Sequence, residues 1–208
     1  MNVLAIGAHF DDIELGCGGA VSKHVANGDN VYAFVATRSG YKNPSGVIVR
    51  SDDVAMQEGI NAMKILGVEL FCGDFNTMEV EFTDDLNIQI LNIMENYQID
   101  LVYTHWIGDI HHDHQVVARS SLHSCRHAKR LLMYRSNWYH SPMDFKGNFY
   151  VDISDYLENK IKAVESHVSE LERTHGKWIN FFENEAENAG QRIGVKYAEV
   201  FEVVKWLN

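Results

Sequence analysis

A short segment near the start of the chain combines three side chains that bind metal ions or transfer protons. His9, Asp11 and Asp12 directly follow an apolar run, Val3–Gly7, that is typical of a buried strand. Adjacent aspartates point in different directions, so one carboxylate can bind a cation while the other remains free to accept a proton. The alternative is that both aspartates only cap a helix, where negative charge is favourable.

A second segment, Thr104–Gln115, concentrates histidines. Six of the 11 histidines of the chain lie between positions 105 and 127. His111 and His114 are three residues apart and would share one face at the start of a helix. Asp113 is a candidate for the carboxylate that orients His114 as a metal ligand. Taken alone, this segment could instead be a surface cluster that binds metal ions and has no catalytic role.

Together, the two segments can supply two imidazoles and one carboxylate to a single ion. Three protein ligands with one open position are the pattern of a catalytic zinc, whereas a closed structural site uses four ligands, usually including thiolates. Asp11 would then accept a proton from the attacking water. His111 would hold an oxyanion or protonate a leaving nitrogen.

Alternating strand and helix patterns provide the frame for these segments. After the first strand, the patterns predict strands at 31–36, 69–72, 100–104 and 131–134, and helices near 15–27, 51–66, 83–97 and 155–173. Thr83 is the expected N-cap of its helix, and Gly67 is an expected left-handed cap. Residues 197–206 fit either a strand or a helix. The alternation predicts an α/β fold with a mostly parallel sheet, in which ligands bind beyond the carboxyl ends of the strands.

The composition limits the function classes. The chain has 208 residues, which favours one domain over residues 1–208, and a formal net charge of -11. An acidic surface argues against nucleic-acid binding, which needs a cationic face. No stretch approaches the ~20 apolar residues of a membrane helix, and no secretory signal is visible, so a soluble cytoplasmic protein is expected. The three cysteines are expected to be buried reduced thiols: Cys17, Cys72 and Cys125.

These residues resemble the motifs of the PIG-L/LmbE family of zinc-dependent N-acetylglucosaminyl deacetylases. That family carries A-H-P-D-D-x(3)-G-x-G-G after its first strand and H-x-D-H farther on. Here the first motif reads AHFDD followed by GCGG at positions 16–19, and the second reads HHDH at positions 111–114. Lys160, Ala163 and His167, and the stretch 194–201, are similar to later segments of the family. The resemblance extends over nearly the whole chain.

The resemblance implies a Rossmann-like three-layer α/β sandwich and one zinc ion per chain. The implied zinc ligands are His9, Asp12 and His114. Asp11 is the implied general base. The second motif implies that His111 stabilises the tetrahedral intermediate and that Asp113 is a supporting carboxylate. Another divalent metal is compatible with two histidines and one aspartate. Family members often assemble, so a homo-oligomer is also compatible.

Two departures from the family pattern lie near the first motif. Phe10 replaces the usual proline, and Ile13 stands where glutamate is common, but neither position supplies a ligand. An arginine usual near the start of the next helix is absent at positions 55–57. The candidates for substrate contact are therefore Arg38, Arg50, His105 and Trp106.

The resulting prediction is a zinc-dependent hydrolase that removes the acetyl group from an N-acetylated amino sugar of the N-acetylglucosamine type. The sugar could be free, nucleotide-linked, lipid-linked or part of a small glycoside. Two alternatives remain open. The same zinc centre could hydrolyse a different amide or an ester, or the fold could serve as a metal- or ligand-binding module without turnover.

Overall fold

A seven-stranded sheet forms the centre of the computed structural model, which describes residues 1–208. Its strands along the chain are β1 (Asn2–Gly7), β2 (Asn30–Thr37), β5 (Glu69–Phe75), β6 (Leu101–His105), β7 (Arg130–Tyr134), β8 (Phe149–Asp152) and β9 (Ala198–Trp206). Two short strands, β3 (Tyr41–Lys42) and β4 (Ile48–Arg50), form a separate antiparallel hairpin. The order in the large sheet is β5-β2-β1-β6-β7-β9-β8.

The first five of these strands in spatial order are parallel, and β9 runs antiparallel to both of its neighbours. The helices are α1 (Asp12–Ala26), α2 (Asp52–Leu66), α3 (Asp84–Asn96), α4 (His112–Ser124), α5 (Leu157–Glu165), α6 (Val168–Thr174) and α7 (Lys177–Ile193). The predicted α/β class with a mostly parallel sheet is therefore confirmed.

Alternating side chains of the strands bury the two faces of the sheet. In β1, Val3 and Ala5 pack in the apolar cluster that includes residues of α1, α2 and α5. Leu4 and Ile6 point the opposite way, into a second cluster with residues of α3 and α4. Both faces of β1 are thus covered by helices. This explains why its sequence is a continuous apolar run without polar alternation.

Two predicted helix boundaries are confirmed by local geometry. The Thr83 hydroxyl accepts a hydrogen bond from the Leu86 N–H at the start of α3. Gly67 ends α2 with φ 74°, a left-handed conformation that glycine adopts without a Cβ penalty. No helix of the chain is both long enough and apolar enough to span a membrane.

The structure corrects two details of the predicted pattern, the long helix and one cysteine, and decides the strand-or-helix alternative left open at 197–206. The helix predicted at 155–173 is two helices, α5 and α6, and the buried His167 lies between them, where its ring contacts Glu14 and Arg50. Residues 197–206 provide strand β9. Cys72 is exposed on the edge strand β5, whereas only the other two cysteines are buried.

Candidate metal centre

The sheet order brings the two polar segments together. β1 and β6 are adjacent and parallel, so the loops at their carboxyl ends lie side by side. His9 Nδ1 lies 3.2 Å from His114 Nε2 and 3.4 Å from Asp12 Oδ2. Asp12 Oδ1 lies 3.1 Å from His114 Nε2. Residues that are about a hundred positions apart in the chain therefore converge on one point.

The spacing of these atoms fits a divalent cation. Bonds of about 2.0–2.1 Å at tetrahedral angles would place neighbouring zinc ligands about 3.3 Å apart. The pairwise separations of 3.1 to 3.4 Å between His9, Asp12 and His114 are close to that value, although the two histidines lie nearest different oxygens of Asp12. Two imidazole nitrogens and one carboxylate are also donors that zinc and related divalent metals accept. The residues present therefore fit the ion that the resemblance implies.

The backbone of the first loop holds the Asp12 carboxylate. Its Oδ2 accepts hydrogen bonds from the N–H groups of Ala8, at 3.1 Å, and His9, at 2.7 Å. Asp11, the residue before α1, has φ 133°, a value strained for a side chain other than glycine. Phe10, which stands at the proline position of the motif, donates its N–H to Ser39 Oγ at 2.8 Å. A proline there has no N–H to donate.

Electrostatics in the metal-free site favour proton uptake by the histidines. Burial lowers the pKa of His9, but hydrogen bonds with Asp113 and Asp12 outweigh burial and raise it to about 9. Burial also lowers the pKa of His114, but the interactions with Asp12 and Asp109 outweigh burial and raise this pKa to about 10. Burial would raise the pKa of Asp12, yet the neighbouring histidines lower it well below its usual range. A cation entering the site must therefore displace protons.

Each histidine of the centre has its own outer carboxylate. Asp113 Oδ2 lies 2.9 Å from His9 Nε2 and also accepts the Met78 N–H. Asp109 Oδ2 lies 3.1 Å from His114 Nδ1. The prediction that Asp113 orients His114 is thus wrong about the partner, because the start of α4 turns Asp113 toward His9. Asp109 was missed, although it stands in the same polar segment.

The Asp11 carboxylate lies at the edge of the centre and is 9% exposed. Burial and the charge of Asp12 raise its pKa to about 7, and the buried Arg50, 3.6 Å away, acts in the opposite direction. Arg50 is in turn held by Glu58 at 2.8 Å and contacts His167 at 3.2 Å. Asp11 can therefore accept and return a proton near neutral pH.

His111 occupies the N-cap of α4, next to the other two histidines. Burial and the positive charges of His114 and His9 lower the pKa of His111 to about 4. Its Nδ1 accepts the Asp113 N–H at 3.2 Å, so the proton of the neutral ring is on Nε2. His111 can donate one hydrogen bond from a neutral imidazole.

A cleft of about 380 Å³ opens above these residues. Arg50 lines it, and its buried guanidinium lies 3.6 Å from the Asp11 carboxylate. Arg38 lies outside the cleft and pairs with Asp74 on the surface. Aromatic side chains form part of the wall: Tyr41, Trp138, Tyr139 and Trp178.

The other two candidates for substrate contact do not face the cleft. His105 is fully buried beneath the centre, with its ring stacked on His114 at 4.1 Å between centroids. Trp106 is 3% exposed and lines a neighbouring cavity of about 620 Å³, where it packs against Phe145. The side chain at a strand end can point down into the sheet or sideways, and its sequence position alone does not decide between these directions.

The fold and the donor set define a class of α/β protein with a cluster of histidines and aspartates that could hold a metal ion at the carboxyl edge of a mostly parallel sheet. Within that class, this chain belongs to the PIG-L family, described as GlcNAc-PI de-N-acetylase, whose pattern matches residues 4–125. The match confirms the resemblance inferred from the two motifs and the enzyme class, a deacetylase, that it implied.

Two similar proteins carry deacetylase names. The chain is 31% identical to uncharacterized deacetylase YaiS of Escherichia coli K12, over 80% of this chain and 90% of that protein. It is 26% identical to diacetylchitobiose deacetylase of Thermococcus kodakarensis, over 95% of this chain and 80% of that protein. Among solved structures, N,N'-diacetylchitobiose deacetylase of Pyrococcus horikoshii superposes with a TM-score of 0.83 at 23% identity, covering 98% and 83% of the two chains. That similarity supports the fold.

Proposed function

We propose that this protein is a metal-dependent hydrolase that removes the acetyl group from an N-acetylated amino sugar. The observation that carries the proposal is the convergence of His9, Asp12 and His114, whose nearest side-chain atoms lie 3.1 to 3.4 Å apart pair by pair, in a cleft that the Asp11 carboxylate also lines. Membership of the PIG-L family and the names of the relatives support the acetamide as the bond that is cleaved.

His9, Asp12 and His114 would hold the ion, with Asp113 and Asp109 orienting the two imidazoles. A bound divalent cation would supply Lewis-acid polarisation of the acetyl carbonyl and of the attacking water. Zinc is the metal we propose, at one ion per chain, because its tetrahedral geometry matches the spacing of the donors.

Asp11 is the general base. Its carboxylate accepts a proton as the water oxygen bonds to the acetyl carbon, and its pKa of about 7 suits both uptake and return of that proton. The same proton then passes to the sugar nitrogen as the C–N bond breaks, which gives a free amine and acetic acid, and the acid releases its remaining proton to solvent as acetate. The Nε2–H of neutral His111 donates a hydrogen bond to the oxyanion between these two steps.

The cleft supports an amino sugar as the substrate. A volume of about 380 Å³ lies in the range of small-molecule sites, and the aromatic wall offers flat apolar surfaces for a sugar ring. Trp138 and Trp178 contact each other edge to face, with centroids 6.5 Å apart, on one side of this cleft. Two of the similar proteins are named for an N-acetylated disaccharide.

Acetate release from a panel of acetylated compounds tests the proposal. The zinc-loaded protein is incubated with N-acetylglucosamine, diacetylchitobiose, a nucleotide-linked N-acetyl sugar, an N-acetyl amino acid and an aryl acetate. We expect equal amounts of acetate and free amine from an amino sugar, lost after chelation and restored by a divalent ion. His114→Ala should lose this activity, and His123→Ala, an exposed site on α4, should keep it.

Release from the amino acid or the ester alone would assign the centre to another amide or ester. Release from none, with zinc bound, would assign the fold to a binding module. Either result would contradict the proposal.

A further inference from the structure

Two residues from later segments of the chain, Lys160 of α5 and Glu199 of β9, meet as a buried ion pair. Lys160 Nζ lies 2.6 Å from Glu199 Oε1, and the two residues are 3% and 5% exposed. Both line the cavity of about 620 Å³ beside Trp106, and neither lines the substrate cleft. The proposed reaction does not use them. Because burying two charges is costly, the contacts of the pair indicate what it does.

The pair lies at a break in α1. Cys17 has φ -145° and ψ 16°, which are not helical values, so α1 consists of two helical segments that meet at this residue. The first segment begins with Asp12, directly after Asp11, and the second continues from Gly18. Helix ends at such a junction leave backbone groups without a partner in their own segment.

Each member of the pair caps one of these two ends. The Glu199 carboxylate accepts the N–H groups of Gly19, at 2.9 Å, and Ala20, at 2.7 Å, at the start of the second segment. Lys160 Nζ donates to the Leu15 carbonyl oxygen, at 2.8 Å, near the end of the first segment. Negative charge is favourable at the amino end of a helix and positive charge at its carboxyl end, so both charges have the stabilising sign.

The backbone of Leu15 connects the pair to the proposed metal centre. Its carbonyl oxygen is held by Lys160, and its N–H donates to the Asp11 carbonyl oxygen at 3.0 Å. Gly18 leaves room for the lysine stem, since a Cβ at that position would lie only 3.3 Å from Lys160 Cγ. The turn between Asp11 and Leu15 therefore cannot tilt without stretching the hydrogen bond to Lys160.

We propose that Lys160 and Glu199 are positioning residues that fix the direction of the first turn of α1 and thereby the placement of Asp11 and Asp12. The proposal rests on the proposed function, in which Asp12 binds the ion and Asp11 is the base. The pair contacts neither the cleft nor the reacting atoms and acts through the backbone of Leu15. Loss of an outer contact of a metal ligand commonly weakens metal binding about 10- to 100-fold, and this indirect contact belongs at the lower end of that range.

Two variants separate this role from the balance of buried charge. Lys160→Met keeps the apolar stem but leaves Glu199 buried without a partner charge, which should lower the urea midpoint of unfolding. Lys160→Met combined with Glu199→Gln removes both charges, so its midpoint should recover toward that of the wild type. Both variants lack the ammonium group that holds the Leu15 carbonyl. Ile161→Ala, which loses apolar packing on the same helix, is the destabilised control.

The measurement is zinc affinity by competition with a chelating dye, at a temperature at which every variant is folded. We expect both variants that lack Lys160 to bind zinc about tenfold more weakly than the wild type, and Ile161→Ala to bind within about threefold of it. Wild-type affinity in the double variant would show that the pair only balances charge and would overturn the proposal. Failure of the wild type to bind zinc would instead overturn the proposed function, so the two failures are distinguishable.

A second measurement needs no variant and holds even if the substitutions disturb folding. Hydrogen exchange of the metal-free wild type, followed by NMR, reports whether the amides of Gly19 and Ala20 are held. They are expected to exchange much more slowly than the amide of Asp53, which lies in the exposed first turn of α2. Exchange as fast as that of Asp53 would show that Glu199 does not cap the second segment and would overturn the proposal.

Discussion

Replacing Asp11 with asparagine should stabilise the metal-free protein while abolishing most of its activity. The carboxyl of Asp11 has its pKa raised from 3.8 to about 7, by burial first and by the charge of Asp12 second. The folded protein therefore holds a proton that the unfolded chain has already released. A carboxyl with a raised pKa destabilises the fold progressively as the pH rises from about 4 to about 7.

The size of the effect follows from proton linkage. Each tenfold change in proton affinity corresponds to about 1.4 kcal/mol, so the charged Asp11 side chain costs about 4 kcal/mol above neutral pH. Asparagine has nearly the same shape and carries no charge. The difference in unfolding free energy between Asp11→Asn and the wild type should therefore grow by about 3 kcal/mol from about pH 4.5 to about pH 8.

Urea unfolding of the chelator-treated proteins at both pH values measures this difference. Asp144→Asn, at an exposed carboxyl, is the control for the exchange of an aspartate for an asparagine. In the zinc-loaded enzyme, Asp11→Asn should keep its metal and lose about 10²- to 10⁴-fold in turnover, because the base is gone. A pH-independent stability difference would refute the near-neutral pKa, and full turnover would remove Asp11 from the mechanism.

Three further predictions concern the histidines of the centre. His111→Ala should lower kcat by about 100-fold or more at unchanged zinc content, because one oxyanion donor is lost, as steady-state kinetics and metal analysis will show. Asp109→Asn should weaken zinc binding about 10- to 100-fold in a chelator competition, because His114 loses its outer carboxylate. Zinc binding should release at least one proton at neutral pH and weaken as the pH falls, because the pKa values of His9 and His114 are raised to about 9 and about 10. Calorimetry in buffers of different ionisation enthalpy measures the number of protons released. Zinc binding without proton release would contradict the raised pKa values of His9 and His114.

The buried network behind Asp11 explains why residues far from the motifs matter to the centre. Arg50 joins Asp11 to Glu58 and to His167, and His167 Nε2 lies 2.8 Å from Glu14 Oε1. His167 lies at the junction between α5 and α6, so its contact with Arg50 connects that junction to the residues behind Asp11.

Local patterns in the sequence were sufficient to predict the donor chemistry and the frame that carries it. Apolar runs and caps located β1, β6, α2 and α3, and two polar segments at strand ends indicated a site at the carboxyl edge of the sheet. These features depend on neighbouring residues, whose spacing along a strand or helix determines which side chains share a face.

Only the tertiary structure determines which side chains from distant segments of the chain contact one another. The Asp113 carboxylate contacts His9 and not its sequence neighbour His114. His105 is buried below the centre and does not line the cleft. Each of these outcomes depends on how α4 and the end of β6 are turned against β1, an orientation set by packing across the sheet. Hydrogen-bond direction at such a junction changes with a rotation of a single side chain, and residue spacing does not encode that rotation.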